Sequence, residues 1–263
     1  MISDLIYIII LSIIEGITEW LPISSTAHLI LADELLIGLN VNPSVINEEF
    51  KMLFDVLVQF GAILAVVVVF PKKFNPLKNI NLWIKIFISI IPIVIVAVVF
   101  DDLIYNYFYN VTSISIVLII YGVIFILVSI KKEGIKKEVS YKDAFYIGVI
   151  QTLSVIPATS RSGVTLSGLS LMGYNLTEST RYSFLLAVPI IFGATVFKSF
   201  KYFLINSLSL KQVILLFIGM SIAFLISLFV IKKLMALIKK SGLMLFGIYR
   251  IILGMIILIF RRG

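Results

Sequence analysis

Apolar and polar positions along the 263-residue chain separate into long apolar runs joined by short polar stretches. Six runs reach the ~20 residues that a helix needs to cross a bilayer, at about 52–70, 80–100, 111–130, 180–197, 212–231 and 242–260. Two further apolar segments are interrupted. The first, about 5–38, is cut by Pro22 and by Ser24-Ser25-Thr26; the second, about 143–173, is cut by Pro157 and by Ala158-Thr159-Ser160-Arg161-Ser162-Gly163. Each half is too short to cross alone, which predicts two re-entrant helix-loop-helix hairpins. Leu21-Pro22-Ile23-Ser24-Ser25 also resembles Ile156-Pro157-Ala158-Thr159-Ser160. One broken segment followed by three spans therefore occurs twice, and because three is odd the second copy enters from the opposite side. The expected fold is an all-α polytopic membrane protein, six transmembrane helices plus two re-entrant hairpins in an inverted-topology repeat. It forms a single integral-membrane domain over 1–263, with repeat 1 at about 1–131 and repeat 2 at about 140–263.

Composition strengthens this reading. The chain is 60% hydrophobic and 14% charged, with a mean hydropathy of +1.13, which removes soluble classes. With no cysteine, neither a disulfide framework nor a thiolate metal site is expected. Met1-Ile2-Ser3-Asp4 lacks a basic leader and cleavage site, so the first apolar run is expected to be mature structure.

The net charge of +8 reports topology. Lys72, Lys73, Lys78 and Lys85 flank one loop, Lys131, Lys132, Lys136, Lys137 and Lys142 a second, and Lys232, Lys233, Lys239 and Lys240 a third; all three fall on one side if the spans alternate. Asp33, Glu34, Glu48, Glu49, Asp101 and Asp102 fall on the other, together with Lys198, Lys201, Lys211, Arg261 and Arg262, which run against the trend. By the positive-inside rule the lysine-rich side is cytoplasmic and both termini face out. Nucleic-acid binding needs a basic face interleaved with exposed aromatics, whereas most of the 20 Phe, 11 Tyr and 2 Trp lie in or beside apolar spans.

Ionisable residues inside such a chain are candidates for chemistry, because burying a charge in a bilayer costs roughly 2.5–3.5 kcal/mol even on lenient scales. Glu15 and Glu19 are four apart, on one helix face. Two such carboxylates do not ionise together easily, so either one holds a proton as a general acid/base or a cation sits between them. Ser24 reads as a helix N-cap. Ser25 differs, because His28, the single histidine, lies three residues on; hydroxyl, imidazole and carboxylate supply a nucleophile, a base and an orienter. The second hairpin adds a fixed positive charge, Arg161, with hydroxyls at Thr159, Ser160, Ser162 and Thr165 and with Gly163 for close backbone approach. That set suits a phosphate at a helix N-terminus. Asp55 and Gln59 either line the cavity or face the outer interface, Glu178 and Arg181 read as interfacial, and the role of Arg250 in the last span stays open.

With these motifs the chain resembles the undecaprenyl-diphosphate phosphatase family of the bacitracin-resistance type over essentially its whole length. The resemblance rests on Glu15-Gly-Ile-Thr-Glu19 with Pro22-Ile-Ser-Ser-Thr-Ala-His28, on Phe54-Asp55-Val-Leu-Val-Gln59-Phe-Gly61, on Pro157-Ala-Thr-Ser-Arg161-Ser-Gly-Val-Thr165, and on Ser183-Phe-Leu-Leu-Ala-Val-Pro189. Ala27 and Ala158 stand where the family usually has glycine. The resemblance implies a plasma-membrane enzyme with an outward-facing site that removes the terminal phosphate of a long polyprenyl diphosphate, recycling the lipid carrier of envelope glycan assembly. Its implied catalytic residues are Glu15, Glu19, Ser25, His28 and Arg161, with Thr26, Ser160, Ser162 and Thr165 binding substrate. Either Ser25 or His28 is the nucleophile. Glu15 and Glu19 are expected to share a Mg2+ or Ca2+ with the diphosphate, with no dedicated metal site and no organic cofactor. Expected partners are the lipid substrate, membrane lipids and, as an open alternative, a second copy in a homodimer; no nucleic acid is expected. A lipid flippase or other anion transporter on the same scaffold is the alternative function.

Overall fold

The computed structural model describes residues 2–41, 43, 45–75 and 77–260, without the side chains of 101, 102, 105, 106, 239–241 and 260. The shares of Asp101, Asp102, Lys239, Lys240, Arg261 and Arg262 in the loop-charge pattern therefore lie outside the described residues. The described chain folds into α1 (Ile2–Thr18), α2 (Ser25–Gly38), α3 (Glu48–Val69), α4 (Ile80–Phe108), α5 (Val111–Ile130), α6 (Tyr141–Gln151), α7 (Arg161–Leu171), α8 (Leu176–Phe203), α9 (Leu210–Ser241) and α10 (Met244–Phe260). Among the described residues, extended pairing is confined to one isolated bridge, Lys136 with Tyr174. Among the described residues five helices, α3, α4, α5, α8 and α9, are long and apolar enough to cross a membrane. The 17 residues of α10 span about 25 Å at 1.5 Å per residue. The protein is an all-helical, multi-pass membrane protein. Only 22% of the apolar window of α4 is buried within the protein, leaving most of that surface for lipid.

Polar side chains set the helix ends. Asn47, Asn110 and Ser140 accept backbone hydrogen bonds from Phe50, Ser113 and Asp143 as N-caps of α3, α5 and α6, each stabilising by about 1 kcal/mol. The two expected interruptions are present, between α1 and α2 and between α6 and α7. Pro92 and Pro189, by contrast, lie inside α4 and α8 without ending them.

Two compact units emerge, each drawing on both ends of the chain. The first contains the chain up to Trp20, His28–Pro71 and Ala187–Lys232; the second contains Leu21–Ala27, Lys72–Leu186 and the chain from Lys233 onward. In the first, small residues let α9 approach α1 and α3: a Cβ on Gly61 would lie 2.4 Å from the Met220 carbonyl oxygen, and one on Gly16 would lie 3.0 Å from that of Ala223. Ser227 Oγ then donates to the Gly16 carbonyl at 3.2 Å. The second unit repeats the device. A Cβ on Gly148 of α6 would lie 2.5 Å from the Ser89 carbonyl of α4, and Ser89 Oγ donates to the Ala144 carbonyl at 2.7 Å. Each interrupted segment thus packs, through a glycine and a partner serine, on a span from the other half of the chain. Small-residue contacts of this kind let helices associate in lipid, where apolar burial offers no driving force.

One charge that ran against the topology trend, Lys211, finds its partner in the first unit. Lys211 Nζ lies 2.8 Å from a carboxylate oxygen of fully buried Asp4, and Lys51 and the Tyr7 hydroxyl both bond Asp33. Lys211 thus neutralises a buried acid.

Gly61→Ala is expected to cost about 1–3 kcal/mol by overpacking and to lower the thermal unfolding midpoint in detergent. Gly193→Ala, with open space around its Cβ position, should leave that midpoint unchanged or raise it slightly.

Candidate active site

Five residues separate Glu19 from Ser25, and they form the first turn. The Glu19 amide donates to the Glu15 carbonyl at 3.0 Å, carrying α1 geometry one residue past Thr18, so the two carboxylates stack one turn apart. Both residues are buried, at 1% and 8% exposure. Ser24 sits at φ +74° and its Oγ accepts from the Ala27 amide at 3.3 Å, the capping role expected of it. Ser25 is then the first residue of α2. Thr26 follows it half-buried, and His28, also half-buried, lies on the same helix face as Ser25 by its i,i+3 spacing.

The second turn is longer. A 3-10 turn over Thr152–Val155 follows α6, and Ala158 and Ser160 take φ of +66° and +71°. Ser160 Oγ accepts from the Gly163 amide at 3.2 Å and caps α7, whose first residue is Arg161. The caps correct the register of the repeat: Ser24 corresponds to Ser160, and Ser25 corresponds to Arg161, because the second turn has one more residue between its proline and its cap. Ser162 Oγ donates to the Leu21 carbonyl at 3.5 Å and lies 3.2 Å from Ser160 Oγ. Thr165 Oγ1 donates to the Arg161 carbonyl at 3.0 Å. A Cβ on Gly163 would lie 2.2 Å from the Phe125 ring, so only glycine lets α7 begin there.

Residues Leu21–Ala27 belong to the same compact unit as the α6–α7 turn, and the link is Arg250. Fully buried on α10, its guanidinium donates to the Pro22 carbonyl at 3.3 Å and to the Ala158 carbonyl at 2.5 Å. It also lies over the rings of Tyr121 and Phe125, at 5.7 and 5.2 Å. One side chain holds both turns. Sequence left Arg250 undecided, since nothing local marks its partners. Gln151 escaped notice too, although a spacing signal existed: Gly148-Val-Ile-Gln151 copies Gly16-Ile-Thr-Glu19 with an amide in place of the acid. Gln151 is buried, and its Oε1 has no hydrogen-bond partner among the described residues.

The structure thus brings the turns carrying Ser25, Thr26, Ser160, Arg161, Ser162 and Thr165 into one unit, and places Glu15, Glu19 and His28 in the other. Asp55 and Gln59, one turn apart on α3, are half-buried in that first unit. Among the described residues, no group of three or more His, Cys, Asp or Glu is arranged to hold a metal ion.

These observations define the class: a multi-pass helical membrane protein whose two interrupted segments each present a capped, polar helix N-terminus on a shared scaffold. The chain belongs to the family described as Bacitracin resistance protein BacA, whose model matches residues 8–256. It is similar to the undecaprenyl-diphosphatase of Streptococcus mutans, at 39% identity over 98% of this chain and 96% of that protein. It is also similar to undecaprenyl-diphosphatase 1 of Clostridium acetobutylicum, at 43% identity over 98% and 97%, and to the undecaprenyl-diphosphatase of Enterococcus faecalis, at 40% over 97% and 96%.

The two departures from the family's glycines differ in kind. Ala27 lies within α2 and suits a helix, whereas Ala158 adopts the left-handed backbone that costs an L-residue roughly 1–2 kcal/mol. Ala158→Gly is therefore expected to raise the unfolding free energy by about 1 kcal/mol, read as a higher thermal midpoint. Arg250→Met leaves two buried carbonyls without their donor and should cost about 2–5 kcal/mol, read in the same assay.

Proposed function

We propose that this chain hydrolyses undecaprenyl diphosphate, or a close polyprenyl analogue, to the lipid monophosphate and inorganic phosphate, recycling the carrier for envelope glycan synthesis. The observation that carries the reading is the joining of the two turns by Arg250, in a chain whose full-length relatives are named for this hydrolysis. A serine and an arginine each begin a half-helix launched from those turns. Helix N-termini offer unpaired amides and a positive dipole end to an anion, so the diphosphate meets N–H groups and a guanidinium without a soluble phosphate-binding domain.

Phosphoryl transfer asks the protein mainly for positioning and charge stabilisation. Arg161 neutralises the terminal phosphoryl oxygens. Ser25 Oγ attacks the terminal phosphorus as His28 takes its proton, and Glu19 orients the imidazole. The P–O bond to the lipid monophosphate breaks and that monophosphate leaves. His28 passes the proton it took to the departing monophosphate and, neutral again, takes a proton from a water that attacks the phosphoserine; the Ser25 Oγ–P bond breaks, His28 returns that proton to the Ser25 oxygen, and phosphate departs. Thr26, Ser160, Ser162 and Thr165 supply hydroxyls around the anion. Glu15 and Glu19, stacked one turn apart, would hold a Mg2+ or Ca2+ shared with the diphosphate, an ion that would supply charge neutralisation.

The same reading gives six membrane-crossing helices, α3, α4, α5, α8, α9 and α10, with α1–α2 and α6–α7 as re-entrant hairpins in inverted repeat. It is supported by the twofold use of a glycine-serine contact and by the matching caps. The lysine-rich loops 70–80 and 131–142 then face the cytoplasm and the hairpin tips open to the outer side of the plasma membrane.

Purified protein in detergent should release phosphate from a long-chain polyprenyl diphosphate, and His28→Ala and Arg161→Ala should each reduce the rate by about 10²–10³-fold or more. No release from folded wild type, with and without divalent cations, would refute the reading. Acid-stable phosphate trapped on Ser25 supports the serine path; acid-labile phosphate on His28 reverses the two roles. Unchanged activity after exhaustive chelation removes the shared cation.

A further inference from the structure

A second polar site lies at the lysine-rich end of the second unit, in a cavity of about 470 Å³. That volume falls in the range of small-molecule pockets, about 300–1,000 Å³. Five cations line it, Lys73, Lys78, Lys85, Lys137 and Arg181, against two carboxylates, Glu138 and Glu178. Tyr182, Leu82 and Leu185 add apolar wall.

Loop lysines alone satisfy the positive-inside rule, and they do so without burial or order. This site has both. Lys85 is 7% exposed, and its ammonium lies 2.8 Å from Glu138. Its hydrogen bond holds the Glu138 carboxyl below the usual carboxylate range, so that carboxylate stays charged at neutral pH. Arg181 pairs with Glu178. Both carboxylates are thereby engaged, and among the described residues Lys73, Lys78 and Lys137 have no carboxylate within ion-pair distance.

The walls are braced on both sides. The Lys136 amide donates to the Gly173 carbonyl at 3.0 Å and the Asn175 amide to the Lys136 carbonyl at 3.1 Å. The Tyr174 hydroxyl donates to Asp143 at 2.6 Å. Opposite, Trp83 Nε1 donates to the Lys73 carbonyl at 2.9 Å and Asn79 Nδ2 to the Lys72 carbonyl at 2.7 Å. Lysines held around a preformed concavity are a binding site for a compact anion, because convergent positive charge in a low-dielectric cleft concentrates counter-charge there.

We infer that this cavity binds a phosphate-bearing anion at the lysine-rich face, either the headgroup of an anionic lipid or free phosphate, at a site separate from the hairpin turns. Lysine near an anionic surface contributes on the order of fivefold in affinity per residue, so three converging lysines matter to either ligand. The inference does not depend on the hydrolysis proposed above.

The test uses the full chain carrying Arg161→Ala, so that phosphate at the hairpin site does not confuse the readout. Thermal shift with inorganic phosphate and native mass spectrometry with phosphatidylglycerol against phosphatidylcholine are compared in three forms. These are the Arg161→Ala parent, the cavity set Lys73→Gln/Lys78→Gln/Lys137→Gln, and a control set of exposed lysines outside the cavity, Lys131→Gln/Lys132→Gln/Lys233→Gln. Lys78 and Lys137 are exposed and Lys73 half-buried, so the cavity set is expected to fold with the unliganded midpoint of the parent. The expected result is retention of phosphatidylglycerol over phosphatidylcholine, or a phosphate-induced stabilisation, that the cavity set weakens at least tenfold and the control set leaves intact. A lipid effect without a phosphate effect identifies a headgroup site; the reverse identifies a soluble phosphate site. Equal loss in both lysine sets, or no anion effect in the parent, overturns the inference.

Discussion

A helix interrupted in an apolar surrounding leaves buried carbonyls without their helical partners, and the rest of this molecule depends on how they are satisfied. A buried backbone polar group needs a protein partner. Here the carbonyls of Pro22 and Ala158, one from each interruption, take their hydrogen bonds from the single guanidinium of Arg250. Arginine suits the task because its planar fork donates in two directions at once, where lysine would act as a point charge. Its charge is further accommodated by the faces of Tyr121 and Phe125, an arrangement worth more once desolvated. A buried cation therefore serves as a brace, and the turns it holds are free to carry chemistry.

The C-terminal sides of the same turns, where the half-helices begin, use a different solution. Ser24 and Ser160 satisfy one amide each, at the starts of the half-helices whose first residues are Ser25 and Arg161. Positive φ at Ser24, Ala158 and Ser160 records the cost of turning so sharply, and such strain persists where surrounding contacts over-determine the backbone.

Packing distributes the two halves of the chain between units. Each interrupted segment lies on a span from the other half through a glycine that leaves no ordinary room for a Cβ, and a serine on the span completes a hydrogen bond across the contact. These bonds are short-range and directional, which suits a medium where apolar attraction between helices is weak. Asp4, Asp33 and Glu138 are each met by a lysine.

Much of this was legible in the order of residues. Apolar runs located α3, α4, α5, α8, α9 and α10, and Pro22 and Pro157 located the breaks because each is joined by a run of small and hydroxylated residues, whereas Pro92 and Pro189 sit within apolar runs and leave α4 and α8 unbroken. The polar cluster from Glu15 to His28 and that from Thr159 to Thr165 stood out because charge is rare in such sequence, and the capping role of Ser24 followed from its place after Pro22. Tertiary structure decided what depends on long-range contact. Arg250 became a brace through partners 228 and 92 residues away, Lys211 neutralised an acid 207 residues away, and the extra residue in the second turn, visible through its cap, aligned Ser25 with Arg161. The basic cavity belongs to the same class. Its lysines are ordinary in sequence, and only the braced loops around them make a concave surface, because local pattern specifies which elements form while their packing specifies which side chains converge.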